Sequence, residues 1–485
     1  MEGSRRFVLN TNGIQIVMFF VTVCSFFTSL IDSIEPMYRF SFVQPLAFGV
    51  GLMAYQKYWK YAFAKISGAI ILSTYFVRMS VLPLLAILGN HASIIPGSSL
   101  DMESYAIANF LSAYEFLIIS LFLMSKAKNS SGTLYNNYAV RATYDGMLYG
   151  KQRVPFLLKI MIVVMITYMI YIFMSDPTVI RQNFSLLVGT PDDWYVRTGY
   201  RSIEDAGGSG VLGVLVTLTI YVFWYIQAIL PPALLVHIRE WKITGVVRTL
   251  SVFVIAALLF MLTSGTKIHS LECGFSFLIL VYLCYGERYT QLIKRIAVIG
   301  GVAAVLGVMA KSGMDGYGFE NLHKVISSYF GGVQNIAASI YTVDNYSGFG
   351  IGNIIPDIVN QIPIFGNRLS EMLHLGNTTN YLFNHSLTGG TSLGQIIPAL
   401  GQGYSYFGFV LSPIVPLVAA KLADHFDYNA MKSEDLILKN VYLIAAIMMS
   451  RAVVTTNMMS AIAYIFNTYI SLLIVRIGYL TKRIK

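Results

Sequence analysis

The chain has 485 residues, of which 55% are hydrophobic and only 12% charged, about half the charged share of a soluble domain. A mean hydropathy of +0.62 excludes a soluble globular, disordered or fibrous protein. It leaves a polytopic helical membrane protein, since runs of about 18 or more apolar residues span a bilayer. Continuous rather than alternating runs disfavour a β-barrel. The net charge of +10 does not point to nucleic acid, because Lys and Arg fall in short stretches between apolar runs.

In chain order, hydropathy predicts twelve spans. They lie at about 13–31, 38–55, 66–89, 105–124, 155–174, 211–229, 245–263, 273–285, 293–310, 405–420, 440–458 and 460–480. The first follows Arg5 and Arg6 without an A-x-A cleavage site, so it reads as a retained span and not a signal peptide. Cys24, Cys273 and Cys284 lie in or beside apolar segments, with neither a disulfide framework nor metal spacing. Clustered cations sit at Lys57, Lys60 and Lys65, in the 126–154 loop, at Arg239, Lys242 and Arg248, at Arg288, Lys294 and Arg295, at Lys421, Lys432 and Lys439, and in the tail Lys482-Arg483-Ile484-Lys485. The positive-inside rule places these stretches and both termini in the cytoplasm.

Two outside loops are predicted, at about 175–210 and 311–404. The chain thus divides into helices one to nine over 1–310, a large outer loop over 311–404, and helices ten to twelve with a basic tail over 405–485. The large loop is rich in Ile, Phe and Tyr. It should fold as short interfacial helices over the outer leaflet, since long loops in compact proteins are usually functional. No internal repeat relates the two halves, which weakens a transporter reading.

The sequence contains no GxxxxGK[ST], HExxH or paired CxxC motif, so neither an energised pump nor a zinc protease is supported. In the first outer loop Arg197 and Arg201 stand among Trp194, Tyr195 and Tyr200. Guanidinium groups so placed can bind phosphate oxygens in bidentate fashion while the aromatics stack on sugars. The large loop offers His323, Lys324, Arg368, His374 and His385, with Asp315, Glu320, Asp344, Asp357 and Glu371 as carboxylates. A hydroxyl acceptor would need one of these as general base. Arg368 and His385 are favoured because they flank the approach to the tenth span. Inside the membrane stand Arg78, Glu115 and Arg451. Charges there face a cavity or a partner, so Arg78 and Glu115 either pair across two helices or line a charged headgroup site. Arg451 is placed nearer the outer face. The loop ends in a glycine-rich stretch, Gly389-Gly390 to Gly394, then Gly401-Gln402-Gly403-Tyr404-Ser405-Tyr406-Phe407-Gly408. Such glycines permit close backbone approach to a ligand or to another helix.

At these residues the chain resembles the bacterial O-antigen and capsular polysaccharide polymerases (Wzy-type). A long outer loop in that family ends in a Glu-x-Tyr-x-Asn-Phe-Gly-like stretch. Gln402-Gly-Tyr404-Ser-Tyr406-Phe407-Gly408 is similar to it, with Gln402 at the acid and Tyr406 at the Asn. An Arg-x10-Gly pattern of the family is matched by Arg197 and Gly208, whereas Arg368 meets Thr379 at the glycine position. The resemblance implies a helical membrane body similar to lipid-dependent, GT-C-like glycosyltransferases. It implies en bloc transfer of an undecaprenyl-diphosphate-linked oligosaccharide at the outer face of the bacterial cytoplasmic membrane. It further implies a chain-length-regulating co-polymerase as partner and no cofactor. On that reading Arg197, Arg201, Arg368 and His385 are catalytic, and Arg451, Gln402, Tyr404, Arg78 and Glu115 bind substrate. The alternatives are a lipid-linked oligosaccharide flippase, an O-antigen ligase or a membrane scaffold.

Overall fold

The computed structural model describes residues 11–30, 39–56, 65–89, 100–130, 153–175, 211–261, 267–285, 330–388 and 396–480, with isolated positions at 59, 62–63, 295, 322–323 and 326–327. The described residues are helical, with no strand among them. In chain order the helices are α1 (Thr11–Thr28), α2 (Val43–Ala54), α3 (Ile66–Leu88), α4 (Met102–Ser130), α5 (Phe156–Ser175), α6 (Val211–Glu240), α7 (Gly245–Met261) and α8 (Lys267–Tyr285). They continue with α9 (Val333–Asn345), α10 (Ile354–Val359), α11 (Gly366–Met372), α12 (Thr379–Thr388), α13 (Ala399–Leu411), α14 (Ile414–Lys432), α15 (Leu436–Thr455) and α16 (Met458–Tyr479).

Seven of these are long and apolar enough to cross a membrane, or eight if the bent pair α13–α14 counts as one span. Eleven of the twelve predicted spans fall on helices. The predicted span at 293–310 lies outside the described residues. α1, α2 and α7 are apolar but shorter than the other crossings.

The chain divides into two compact units, one of residues 1–137, 314–425 and 449–463, the other of 138–313, 426–448 and 464–485. In the first, α3 carries a π-turn at Val77–Val81. The second shows why α6 runs past the predicted end at 229. Pro231 and Pro232 lie inside it, and Pro232 has no N–H to offer the Ala228 carbonyl. The Asn440 side-chain amide donates to that carbonyl instead, at 2.8 Å, so the helix continues to Glu240.

The predicted straight span at 405–420 is corrected. The chain already enters a helix at Ala399, then bends by 111° between α13 and α14. Gly408 adopts φ 71° and ψ −169° inside the break, a conformation open mainly to glycine. A Cβ on Gly403 would lie 2.0 Å from the Ser412 carbonyl oxygen, so the return of the chain also requires glycine there. Gly401 likewise faces Ser339, whose Oγ would lie 2.4 Å from an added Cβ. The glycine-rich stretch thus serves close packing at both positions.

The bent pair follows α4 from one end to the other. Leu400 shares a buried core with Tyr105, Ala108 and Leu111. Farther along, the Tyr114 hydroxyl donates to the Val410 carbonyl at 3.1 Å, and its ring stacks on Phe409. Lys126 then meets Asp424 at 3.6 Å, and Lys65 meets the same carboxylate at 2.6 Å. From Tyr105 to Lys126 a helix rises roughly 30 Å, about the hydrocarbon thickness of a bilayer. Taken together, α13 and α14 are long and apolar enough for one crossing only as this bent pair. Lys65 and Lys126, predicted on one side of the membrane, are brought together at its far end.

The large loop does contain short helices, α9 to α12, but α9 is buried and does not lie on a surface. Its residues Ile336, Ala337, Ala338 and Ile340 are fully buried in a core shared with α4, Phe383, Ile397 and Leu400. The small Ala337-Ala338-Ser339 run lets it wedge between neighbours, as small residues do at helix contacts in membranes.

Candidate functional site

The stretch Gly401–Gly408 lies on α13, and two carboxylates from the preceding loop, Asp357 and Asp344, reach it. Asp357, on α10, is wholly buried. Its Oδ1 accepts from the Thr379 N–H at 2.8 Å, and its Oδ2 from the Thr379 hydroxyl at 2.6 Å. Oδ2 also accepts from the Gln402 amide at 2.9 Å and from the Tyr406 hydroxyl. The Gln402 amide donates in addition to the Tyr406 oxygen, and the Gln402 carbonyl accepts from the Met458 N–H at 2.6 Å. This closed network joins α10, α12, α13 and the start of α16. Burial pushes the Asp357 carboxyl above its ordinary range, outweighing the hydrogen bonds from Thr379, Tyr406 and Gln402 that favour its charge.

The network places two of the sequence candidates. Gln402 is fully buried, with both amide protons and its carbonyl engaged. It positions the helix and leaves no donor for a ligand. Its amide stands where the resembling family has an acid, and the acid it touches is Asp357, 45 residues earlier. Thr379 was not recognisable in the sequence. It lies at the glycine position of the Arg368 pattern and is an Asp357 partner instead.

The second carboxylate is accessible. Asp344 is exposed at the end of α9, and the half-buried Tyr404 hydroxyl donates to it at 3.0 Å. Tyr404 packs on the same core as Tyr341, Phe349 and Leu387. On α12, two residues before Leu387, His385 is exposed and stacks on Tyr381 with ring centroids 5.8 Å apart. A solvent-facing carboxylate oriented by a phenol can accept a proton from a sugar hydroxyl.

Arg368 is exposed on α11 and forms no ion pair among the described residues. The structure places it on a different helix from His385. Arg197 and Arg201 lie outside the described residues, as do Lys324, Asp315 and Glu320. Arg451 is partly buried on α15, with its Nη1 3.5 Å from the Thr455 hydroxyl.

Arg78 and Glu115 form an ion pair at 3.0 Å, with side chains 1% and 0% exposed. Arg78 lies in the π-turn and reaches Glu115 on α4. Nη1 donates to Glu115; among the described residues Nε and Nη2 have no hydrogen-bond partner. Arg78 lines a cavity of about 20 Å³ with Ser41, Gln44, His323, Ser327 and Gln334. That volume is enough for an ordered water. Nearby, Gln44 donates to Asn109 at 2.7 Å, both buried. Of the two readings left open in the sequence, the geometry supports the paired one. Among the described residues no three His, Cys, Asp or Glu side chains gather as a metal site.

No family model, curated protein or solved structure matches this chain. Functional assignment rests on the residues alone.

Proposed function

We propose that this protein is a membrane glycosyltransferase that polymerises undecaprenyl-diphosphate-linked oligosaccharide repeat units into O-antigen or capsular polysaccharide. The observation that carries the reading is the convergence of two loop carboxylates on the polymerase-like stretch. Asp357 is locked beneath it by Gln402 and Tyr406, and Asp344 is held at its surface by Tyr404. On this reading Asp357 positions and Asp344 reacts.

In the reaction, an acceptor sugar hydroxyl attacks the anomeric carbon that links the growing chain to its lipid. Asp344 takes the hydroxyl proton, the new C–O bond forms, and the bond to undecaprenyl diphosphate breaks with its electron pair. Arginine side chains meet the charge that develops on the departing diphosphate. Arg197, Arg201 and Arg368 remain the candidates for that task, and the exposed His385 on α12 is a second candidate proton acceptor. The reading places the 311–404 loop outside the bacterial cytoplasmic membrane, with both termini in the cytoplasm and a chain-length-regulating co-polymerase as partner.

The test is complementation of a deletion in the host. Wild-type protein should restore a ladder of surface glycolipids. Asp344→Asn should leave the single-repeat band without a ladder, while the protein accumulates normally in the membrane. A full ladder from Asp344→Asn removes this carboxylate from the chemistry. Loss of every repeat, including the single one, on deletion favours a flippase or ligase.

A further inference from the structure

Between α9 and α12 the loop carries an unusual surface. In the 28 residues of 346–373 the only charged residues are Asp357, Arg368 and Glu371, and Asp357 is buried. Large apolar side chains there nevertheless face outward. Ile351 is 65% exposed, Phe365 58% and Met372 76%, with Ile355, Ile364 and Leu373 also exposed. A water-soluble surface seldom tolerates such a set without an occupant.

The backbone holds these residues out. Ile364 sits at φ 71°, an outlier for a β-branched residue, immediately before Phe365 and α11. Phe365 is fixed by a backbone hydrogen bond from its N–H to the Pro363 carbonyl at 2.8 Å. On the inner side, Ile354 packs against Ala399, Tyr406 and Val415 of the bent pair α13–α14. That pair has its own exposed apolar side chains, Phe409, Val410, Leu411, Ile414 and Val418. The exposed apolar side chains of 351–373 thus sit on an arm packed directly onto an apolar, bent helix pair of near-spanning length. Arg368 and His374, both exposed, are the side chains on this arm that can reach lipid phosphates.

From this arrangement we infer that the 351–373 arm is inserted in the membrane interface, with a lipid surface as its occupant. Phe365 and Met372 lie among acyl chains about 5–10 Å below the headgroups, the depth of interfacial helices. Arg368 sits at headgroup level, its stem along the apolar layer. The arm anchors α10, and through Asp357 it fixes the position of α13 relative to the bilayer. The inference is independent of the polymerase reading, since it concerns where the arm lies and not what the protein transfers.

The test uses the full chain, with its three cysteines changed to alanine, in vesicles of phosphatidylethanolamine and phosphatidylglycerol. Nitroxide labels are placed at Phe365→Cys, Met372→Cys and, as a control, Asn345→Cys. Labels at 365 and 372 should be relaxed by dissolved oxygen and protected from a water-soluble nickel chelate, with the reverse at 345. Equal access of the chelate to all three positions overturns the inference. So does shielding of 365 and 372 from both reagents, which would mean a protein partner or a second copy. Hydrogen exchange of the unsubstituted chain supplies a reading free of variants. Amides of 363–373 should exchange more slowly in vesicles than in detergent-free amphipol, and equal rates overturn the inference as well.

Discussion

Removing the Asp357 carboxylate is the sharpest perturbation of this fold. Asp357→Ala strands the Tyr406 hydroxyl, both Thr379 donors and one of the two Gln402 amide protons in a buried site, the other staying on the Tyr406 oxygen. Each orphaned group costs about 1–3 kcal/mol. The losses are not additive, and water entering the gap recovers part, so a total of roughly 3–5 kcal/mol is expected. The cost falls on local opening of the 346–388 segment, because the network ties that segment to α13 and α16. At about 1.4 kcal/mol per tenfold, the open population rises by about a hundredfold or more. Pulse proteolysis in detergent micelles reads this population directly when opening is fast compared with cleavage. Cleavage within 346–388 should accelerate by that factor, while cleavage in the second unit stays unchanged. Tyr406→Phe removes one donor and keeps the acid, so its effect should be about tenfold, in line with roughly 1–2 kcal/mol. Acceleration by Asp357→Ala of less than about threefold, below roughly 0.7 kcal/mol, would refute the clamp.

Other outcomes follow from the same geometry. Burial raises the folded Asp357 carboxyl above its unfolded value, so the folded state binds the proton more readily. The clamp is then firmest below the unfolded value of about 4 and weakens as pH rises through the folded one. Proteolytic opening should grow from pH 4 toward neutrality, and Asp357→Asn should flatten that profile. Arg78→Ala leaves Glu115 buried and unpaired, a loss of about 3–5 kcal/mol, seen as a fall in membrane-inserted protein. Adding Glu115→Ala should recover part of it, and no recovery would argue against the pair. Gly403→Ala drives a Cβ into the Ser412 carbonyl and should abolish the folded peak in size-exclusion chromatography. Gly245→Ala, at φ 65° with open space around its Cβ position, should cost only about 1–2 kcal/mol.

The parts of this fold that were legible are those set by burial in lipid. Apolar runs mark helices because an unbonded backbone is intolerable there, and Arg78 with Glu115 was readable as a pair because lone charges in a membrane need partners. The Asp357 network was illegible because its members lie 22, 45 and 49 residues away, and no local period links them. Asp357 and Asp344 stood among five equivalent loop carboxylates until the fold separated a buried one from an exposed one. Hydropathy sums along the chain, so it read the bend at Gly408 as a straight span. It also missed α9, whose Gln334, Asn335, Ser339 and Thr342 are polar yet buried. The continuation of α6 past Pro231 and Pro232 depended on Asn440, 212 residues distant from Ala228.

The π-turn at Val77–Val81 has a consequence for descent. A π-turn bonds i to i+5 where the surrounding α-helix bonds i to i+4, so it accommodates one residue more, as a single-residue insertion into α3 would require. Remove that residue and everything on one side of it rotates by about 100°, taking Arg78 off the α4 face. A related chain with an uninterrupted α3 should therefore be one residue shorter between 66 and 88. It should also lack both the arginine and the glutamate, because either alone is a buried charge without a counterpart. The insertion and the two charges are expected to be gained or lost together.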